Sequence, residues 1–251
     1  MAGPIERYLL DKIRVDGTIH MTLIDPEKTF PYEAVKIAEN ANFSGTAAIM
    51  IGGSTVTSQK QLDEVVQAIK SAANLPLILF PGNVSGISSH ADAIWFMSML
   101  NSTDPYFLIG AQILGAPYIK KFQIEPLSMG YIIVGEGGTA GKVGKAIPVP
   151  YNNPELAAAH ALAGQYLGMR FIYLEGGSGV KIPVPPEMIR AVKQAIDIPL
   201  IVGGGIRSTE AAIVASNAGA DAIVTGNLIE TSEGAQRVAQ ITKAIKRNLH
   251  R

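Results

Sequence analysis

Residues 200–227 read LIVGGGIRSTEAAIVASNAGADAIVTGN. An apolar run, Leu200–Val202, ends in Gly203-Gly204-Gly205. A helical pattern over Ser208–Ala218 follows, with Ser208 and Thr209 placed to cap its first turn. A second apolar run, Ala222–Thr225, then ends in Gly226-Asn227. Runs this continuously apolar belong to parallel strands covered on both faces, because a half-wet sheet alternates polar and apolar residues. The stretch therefore reads as strand, glycine turn, helix, strand, glycine turn.

The same unit recurs along the chain. Further apolar runs occupy Thr18–Ile24, Thr46–Ile51, Pro76–Phe80, Ala93–Met97, Tyr131–Val134 and Arg170–Leu174. Helical patterns over Tyr32–Asn42, Gln59–Ala72, Tyr106–Phe122, Pro154–Gly168, Pro186–Ile196 and Ala235–Lys246 lie between most of them or follow the last. Pro154 and Pro186 stand where the first turn of a helix tolerates proline. Eight strands alternating with helices in 251 residues give a (β/α)8 TIM barrel, read as a single domain over 1–251. A doubly wound open sheet competes, but no GxGxxG turn follows the first strand. One interval breaks the rhythm. The twelve residues PGNVSGISSHAD at 81–92 have no helical character, so the third helix is expected to be missing or replaced by an extended segment. A barrel lacking one outer helix has a slot in its wall, open as a trough or filled by the neighbouring helix or a partner subunit. The fourth strand beside it carries Trp95, as a wall of that trough or as core packing.

Composition narrows the function. The chain has 21 basic and 21 acidic residues, so no global charge draws it to nucleic acid or an anionic membrane. Hydrophobic residues make up 47% against 17% charged, which excludes a disordered chain. With no cysteine, disulfides, thiolate metal sites and a cysteine nucleophile are ruled out. The four histidines lack zinc-site spacing, and His20 reads as a strand residue. There is no transmembrane segment, and the opening MAGPIERYLLDK lacks the apolar core of a secretory signal, so a cytoplasmic protein is expected.

In such barrels the chemistry lies at the C-terminal ends of the strands, and phosphate binds in the loops after the last two. Gly204, Gly205, Gly226 and Asn227 therefore read as a phosphate cradle, with ordinary tight turns as the alternative. Glu175, in Tyr173-Leu174-Glu175-Gly176-Gly177-Ser178-Gly179, can orient a substrate hydroxyl or take its proton; a rim ion pair is the alternative. Tyr173 bonds substrate or packs in the barrel. Asp25, with Ser54 nearby at the end of the second strand, reads as a Mg2+ ligand or as a helix cap. The lysines of Gly141-Lys142-Val143-Gly144-Lys145 belong to a loop that closes over a substrate diphosphate or to a solvated surface loop.

Taken together, DPEK at 25–28, GGST at 52–55, YLEGGSG at 173–179, VGGGIRS at 202–208 and TGN at 225–227 resemble the geranylgeranylglyceryl phosphate synthase family over essentially the whole chain. The resemblance implies a prenyltransferase of archaeal ether-lipid synthesis. Its substrates would be sn-glycerol-1-phosphate and a prenyl diphosphate, with diphosphate released. It implies Mg2+ at Asp25 and Ser54. Glycerol phosphate would bind at residues 173–179, Gly204, Gly205, Gly226 and Asn227, with the prenyl chain in the slot of the absent helix. It also implies a homo-oligomer, a hexamer in the larger subgroup, and transient membrane contact for product release. Alternatives are heptaprenylglyceryl phosphate synthase, a sugar-phosphate isomerase or indole-type lyase on the same phosphate-binding barrel, and a non-catalytic phosphate-ligand binding protein.

Overall fold

A computed structural model describes residues 2–53, 58–226 and 233–246. Its strands are β1 (Ile19–Ile24), β2 (Ala48–Ile51), β3 (Leu77–Leu79), β4 (Ala93–Met99), β5 (Glu125–Ile133), β6 (Phe171–Glu175), β7 (Leu200–Gly203) and β8 (Ala222–Thr225). They close in chain order into a barrel, as the alternation of runs predicts. The helices are α1 (Pro4–Asp16), α2 (Pro31–Phe43), α3 (Gln59–Ala72), α4 (Ala111–Phe122), α5 (Gly138–Val143), α6 (Pro154–Tyr166), α7 (Pro186–Ala195), α8 (Thr209–Ala218) and α9 (Gly234–Ile245). The chain falls into two compact units, 1–95 with 113–126 and 225–251, and 96–112 with 127–224.

In the first unit, β1, β2, β3 and the start of β4 pair in parallel, with Met21 opposite Ala48, Ile49 opposite Leu77 and Ile78 opposite Ala93. α2 packs on α3 and α9. Between β3 and β4 there is only a 3-10 turn, Val84–Gly86, so the expected loss of the third helix holds. The extended segment is tied to α3 instead. Gln59 donates to the Ile87 carbonyl at 2.9 Å, and the buried Ser88 hydroxyl donates to Asp63 at 2.5 Å. A side-chain carbon at Gly115 of α4 would stand 3.3 Å from the tip of Ile87, so that helix covers the segment closely. Trp95 is 1% exposed, the core-packing alternative.

In the second unit, β5, β6, β7 and β8 continue the parallel ladder, with Tyr131 opposite Tyr173 and Glu175 opposite Gly203. α7 packs between α6 and α8. The stretch expected as one helix over 106–122 begins as a π-helical turn, Tyr106–Gly110. Such wider turns are rare outside sites where a side chain interrupts the regular ladder. Here the Gln112 amide donates to the Met97 and Phe107 carbonyls, and the Ser98 hydroxyl donates to the Leu108 carbonyl at 2.7 Å. The winding is thereby bound to the end of β4.

Both units use one device at the entry to their strands. Residues 68–79, AIKSAANLPLIL, and 191–202, AVKQAIDIPLIV, align without a gap and share six of twelve residues, and ADAI occurs both at 91–94 and at 220–223. In the first unit Asp92 accepts the Leu77 amide at 2.9 Å and pairs with Lys70 at 2.5 Å. In the second, Asp221 accepts the Leu200 amide at 2.8 Å and pairs with Lys193 at 2.6 Å. The aspartate supplies the partner that the first amide of a parallel strand needs when the sheet ladder does not.

α1 has no cap close by in the sequence: its first amides, from Ile5 and Glu6, are capped by Glu125, 2.7 and 2.9 Å away and about 120 residues along the chain. Two sequence expectations need correction. β5 starts at Glu125, not at Tyr131, because Glu125, Pro126 and Ser128 interrupt its apolar run. Of the loop expected at 141–145, the first three residues belong to the short helix α5, Gly138–Val143.

Candidate active site

β6 delivers its last residue, Glu175, into a buried setting; the side chain is 7% exposed. Oε1 accepts the Gly177 amide at 2.6 Å, and Oε2 accepts the Tyr131 hydroxyl at 3.1 Å. Tyr173 also hydrogen-bonds the carboxylate, and its ring meets that of Tyr131 edge-on with centroids 5.3 Å apart. Burial pushes the Glu175 carboxyl above its ordinary value, while the Gly177 amide and the two tyrosines pull it back. The same burial, with the neighbouring carboxylate, holds both phenols well above their usual value, so both remain hydroxyl donors. Among the described residues the Glu175 carboxylate has an amide and two phenols as partners and no cation, unlike the rim ion pair of the alternative reading.

Two glycines make this packing feasible. A side-chain carbon at Gly203 would stand 2.0 Å from the Tyr173 hydroxyl oxygen. At Gly204, where φ is +88°, it would stand 2.5 Å from the Gly177 amide nitrogen and 2.8 Å from Glu175 Oε1. Only glycine lets β7 turn directly against the carboxylate. Gly205 continues the turn, and Ser208 caps α8 through the Ala211 amide. Arg207 donates to the Gly179 carbonyl at 2.8 Å, which joins the loops after β6 and β7. Of the expected glycerol-phosphate stretch, Tyr173, Leu174, Gly176 and Gly177 are buried and Ser178 and Gly179 are exposed. Glu175, Tyr173, Gly177 and Gly204 come together.

The second group lies in the first unit. Asp25 follows β1; its Oδ1 accepts the Glu27 amide at 3.1 Å, and Oδ2 pairs with Lys28 at 2.9 Å. A side-chain carbon at Gly53 would stand 3.0 Å from Asp25 Oδ1, so the ends of β1 and β2 meet there. The helix-cap alternative is not what the structure has: α2 begins at Pro31 with Phe30 as its cap. Among the described residues no cluster of three metal-ligating side chains occurs. One carboxylate suits a magnesium ion that takes its remaining ligands from water and substrate phosphates. Ser54 and Asn227, the other expected members, lie outside the described residues. Gly226 lies beside the Leu23 carbonyl of β1, 3.8 Å from where its side-chain carbon would be. Lys145 pairs with Asp104 at 2.7 Å, and Lys142 is exposed on α5.

Sequence reasoning missed two residues. Tyr131 reads as strand filler, and only its register opposite Tyr173 brings it to Glu175. His20, read as bland, is fully buried. Its Nδ1 shares a hydrogen bond with Thr46 Oγ1 at 2.7 Å and its Nε2 one with Thr225 Oγ1 at 2.8 Å. Burial lowers its pKa from 6.5 to about 3. The unfolded chain thus binds the proton first: stability is complete above the unfolded value and drains as pH falls from 6.5 towards about 3. The loss approaches ~1.4 kcal/mol per pH unit. Urea unfolding at a series of pH values should show this slope and a shallower one for His20→Gln. Parallel curves would place the titration elsewhere.

The PcrB family matches residues 11–246. The geranylgeranylglyceryl phosphate synthase of Thermofilum pendens is 52% identical over 247 residues, 98% of this chain and 96% of that protein. That of Methanothermobacter thermautotrophicus is 53% identical over 232 residues, 92% and 94% of the two chains. The crystal structure of (S)-3-O-geranylgeranylglyceryl phosphate synthase from Thermoplasma acidophilum in complex with its substrate sn-glycerol-1-phosphate superposes with a TM-score of 0.93 at 44% identity, covering 98% of this chain and 99% of that one. Thiamine phosphate pyrophosphorylase from Pyrococcus furiosus, at 13% identity and a TM-score of 0.59, shares the fold alone. With a match over nearly its whole length, the chain belongs to the PcrB family.

Proposed function

We propose that this protein is a geranylgeranylglyceryl phosphate synthase, joining the C3 hydroxyl of sn-glycerol-1-phosphate to C1 of geranylgeranyl diphosphate. The observation that carries this reading is the buried Glu175 carboxylate, held by Gly177 and two phenols beside the glycine turn after β7. The relatives at about half identity support the same activity and weaken the isomerase, lyase and non-catalytic alternatives.

The reaction forms a bond from the hydroxyl oxygen to the allylic carbon. The bond from that carbon to the diphosphate oxygen breaks, and its electron pair leaves with diphosphate. The hydroxyl proton goes to Glu175. A carboxylate has about four lone-pair sites, so the Gly177 amide and the two phenols do not exhaust it. Burial raises the carboxylate's proton affinity, which favours the transfer. The hydroxyls of Tyr131 and Tyr173 fix the direction of the carboxylate, and the backbone at Gly204, Gly205 and Gly226 receives the glycerol phosphate, with α8 following the first two. Asp25, with Ser54, would hold Mg2+. Bound there, the ion supplies positive charge to the leaving diphosphate. The extended segment after β3 leaves an outer helix out of the ring, and the prenyl chain is assigned to that stretch.

Ile113, Leu114 and Tyr118 of α4 are each more than half exposed, an apolar face that supports a homo-oligomer of this chain. No helix among the described residues is long and apolar enough to cross a membrane.

The test is product analysis. The protein is incubated with sn-glycerol-1-phosphate, Mg2+ and a mixture of prenyl diphosphates of four to seven isoprene units, and products are read by mass spectrometry. A dominant geranylgeranyl ether is the expected result. A dominant heptaprenyl ether would replace the proposed donor, and absence of any prenyl ether would overturn the reading.

A further inference from the structure

The buried polar cluster around His20 has no part in the chemistry above, yet it ends one residue from the phosphate-binding backbone. His20 is the second residue of β1, and one ring nitrogen reaches Thr225, the last residue of β8. The other reaches Thr46, just before β2, and Thr46 Oγ1 lies 3.3 Å from Thr22 Oγ1. His20, Thr22, Thr46 and Thr225 are all buried. A neutral imidazole has one N–H and one acceptor nitrogen, so one threonine must donate to the ring and the other accept from it. One ring nitrogen thus donates and the other accepts, and the imidazole links the start of β2 through β1 to the end of β8. The next residue is Gly226, where a side-chain carbon would stand 3.8 Å from the Leu23 carbonyl oxygen of β1. A glycine has no side chain to hold its own position, so its placement depends on what its neighbours are tied to.

We infer that His20 is a positioning residue for glycerol-phosphate binding: through the Thr225 hydroxyl it fixes the backbone at Gly226 against β1. A packing role alone would not distinguish the two ends of the bridge. Thr46 and Thr225 bond the two nitrogens of the same ring at 2.7 and 2.8 Å and are equally buried, but only Thr225 adjoins the phosphate loop. The inference rests on the proposed phosphate role of Gly226 and on no other part of the proposed reaction.

The experiment compares Thr225→Val, Thr46→Val and Thr225→Ser in the full chain. Valine keeps the shape and removes the hydroxyl; serine keeps the hydroxyl. Thr225→Val should raise KM for sn-glycerol-1-phosphate about fivefold to tenfold, the effect of losing roughly one hydrogen bond's worth of fixation, with kcat near wild type. Thr225→Ser should restore KM. Thr46→Val should keep the wild-type KM while its melting temperature falls about as far as that of Thr225→Val. Affinity for inorganic phosphate, read by titration calorimetry, should follow the same order. An unchanged KM and phosphate affinity in Thr225→Val, or an equal loss in Thr46→Val, would overturn the inference, as would a wild-type protein that binds no phosphate. If the wild type makes no prenyl ether but phosphate affinity still falls only in Thr225→Val, the proposed function fails and the positioning role stands.

Discussion

Glu175→Gln lowers kcat by ~100-fold or more, the usual worth of a positioned general base. Glutamine preserves volume, and its amide oxygen can still accept the Gly177 amide that now bonds Oε1. What it loses is the capacity to take the C3 hydroxyl proton. It also places an NH2 group where Oε2 now accepts the Tyr131 hydroxyl, so that contact must rearrange. Binding of glycerol phosphate should change little, because the phosphate is assigned to backbone amides of other loops. The pH profile supplies a second readout. Burial raises the Glu175 carboxyl, so the acidic limb of wild-type kcat/KM should lie above the ordinary carboxylate value of 4.5 and should disappear from the residual activity of the variant. A loss of only a few-fold, with the acidic limb intact, would reduce Glu175 to orienting the hydroxyl. Steady-state kinetics with saturating prenyl diphosphate over pH 4 to 9 decide between the two.

The site's parts were unequally legible in the sequence. Glu175, Asp25 and the glycines after β7 stand at strand ends, and the period of the strands alone fixes those ends. The slot after β3 was readable because Gly, Ser and Pro at 81–92 forbid a packing helix whatever surrounds them. Tyr131 was not readable: the apolar run of β5 is broken at its start, which hides the register that sets Tyr131 opposite Tyr173. α1 was hidden for a related reason, because its cap comes from Glu125 rather than from a neighbour in sequence. His20 looked bland because an isolated histidine in an apolar strand usually is. Its partners, Thr46 and Thr225, are 26 and 205 residues away, and only the closing of the strands gathers them. Local pattern announces residues whose role comes from their own strand end. Roles created by pairing across strands emerge only with the fold.

The second large effect is expected at Asp25. Asp25→Asn should remove most of the activity and flatten its dependence on Mg2+, because a neutral amide oxygen is a much poorer ligand for a hard divalent cation than a carboxylate. Among the described residues Asp25 has two partners, the Glu27 amide on Oδ1 and Lys28 on Oδ2. The Lys28 side chain is 72% exposed, and an exposed pair of this kind contributes ~1 kcal/mol or less, so it yields readily to an ion. Stability should therefore change little in Asp25→Asn: the amide oxygen can keep the Glu27 contact, and only the exposed ion pair is lost. Lys28→Met separates the roles. If the pair merely neutralises Asp25, Lys28→Met should leave activity and the Mg2+ requirement near wild type. If Lys28 instead turns from Asp25 to the diphosphate when the ion binds, Lys28→Met should raise KM for the prenyl diphosphate and leave the Mg2+ requirement intact. For Asp25→Asn the decisive measurement is activity against Mg2+ concentration at fixed substrates, beside a melting curve. A folded variant with wild-type activity and an unchanged Mg2+ midpoint would remove Asp25 from the metal site, and the ion would then have to be held by substrate oxygens and other residues.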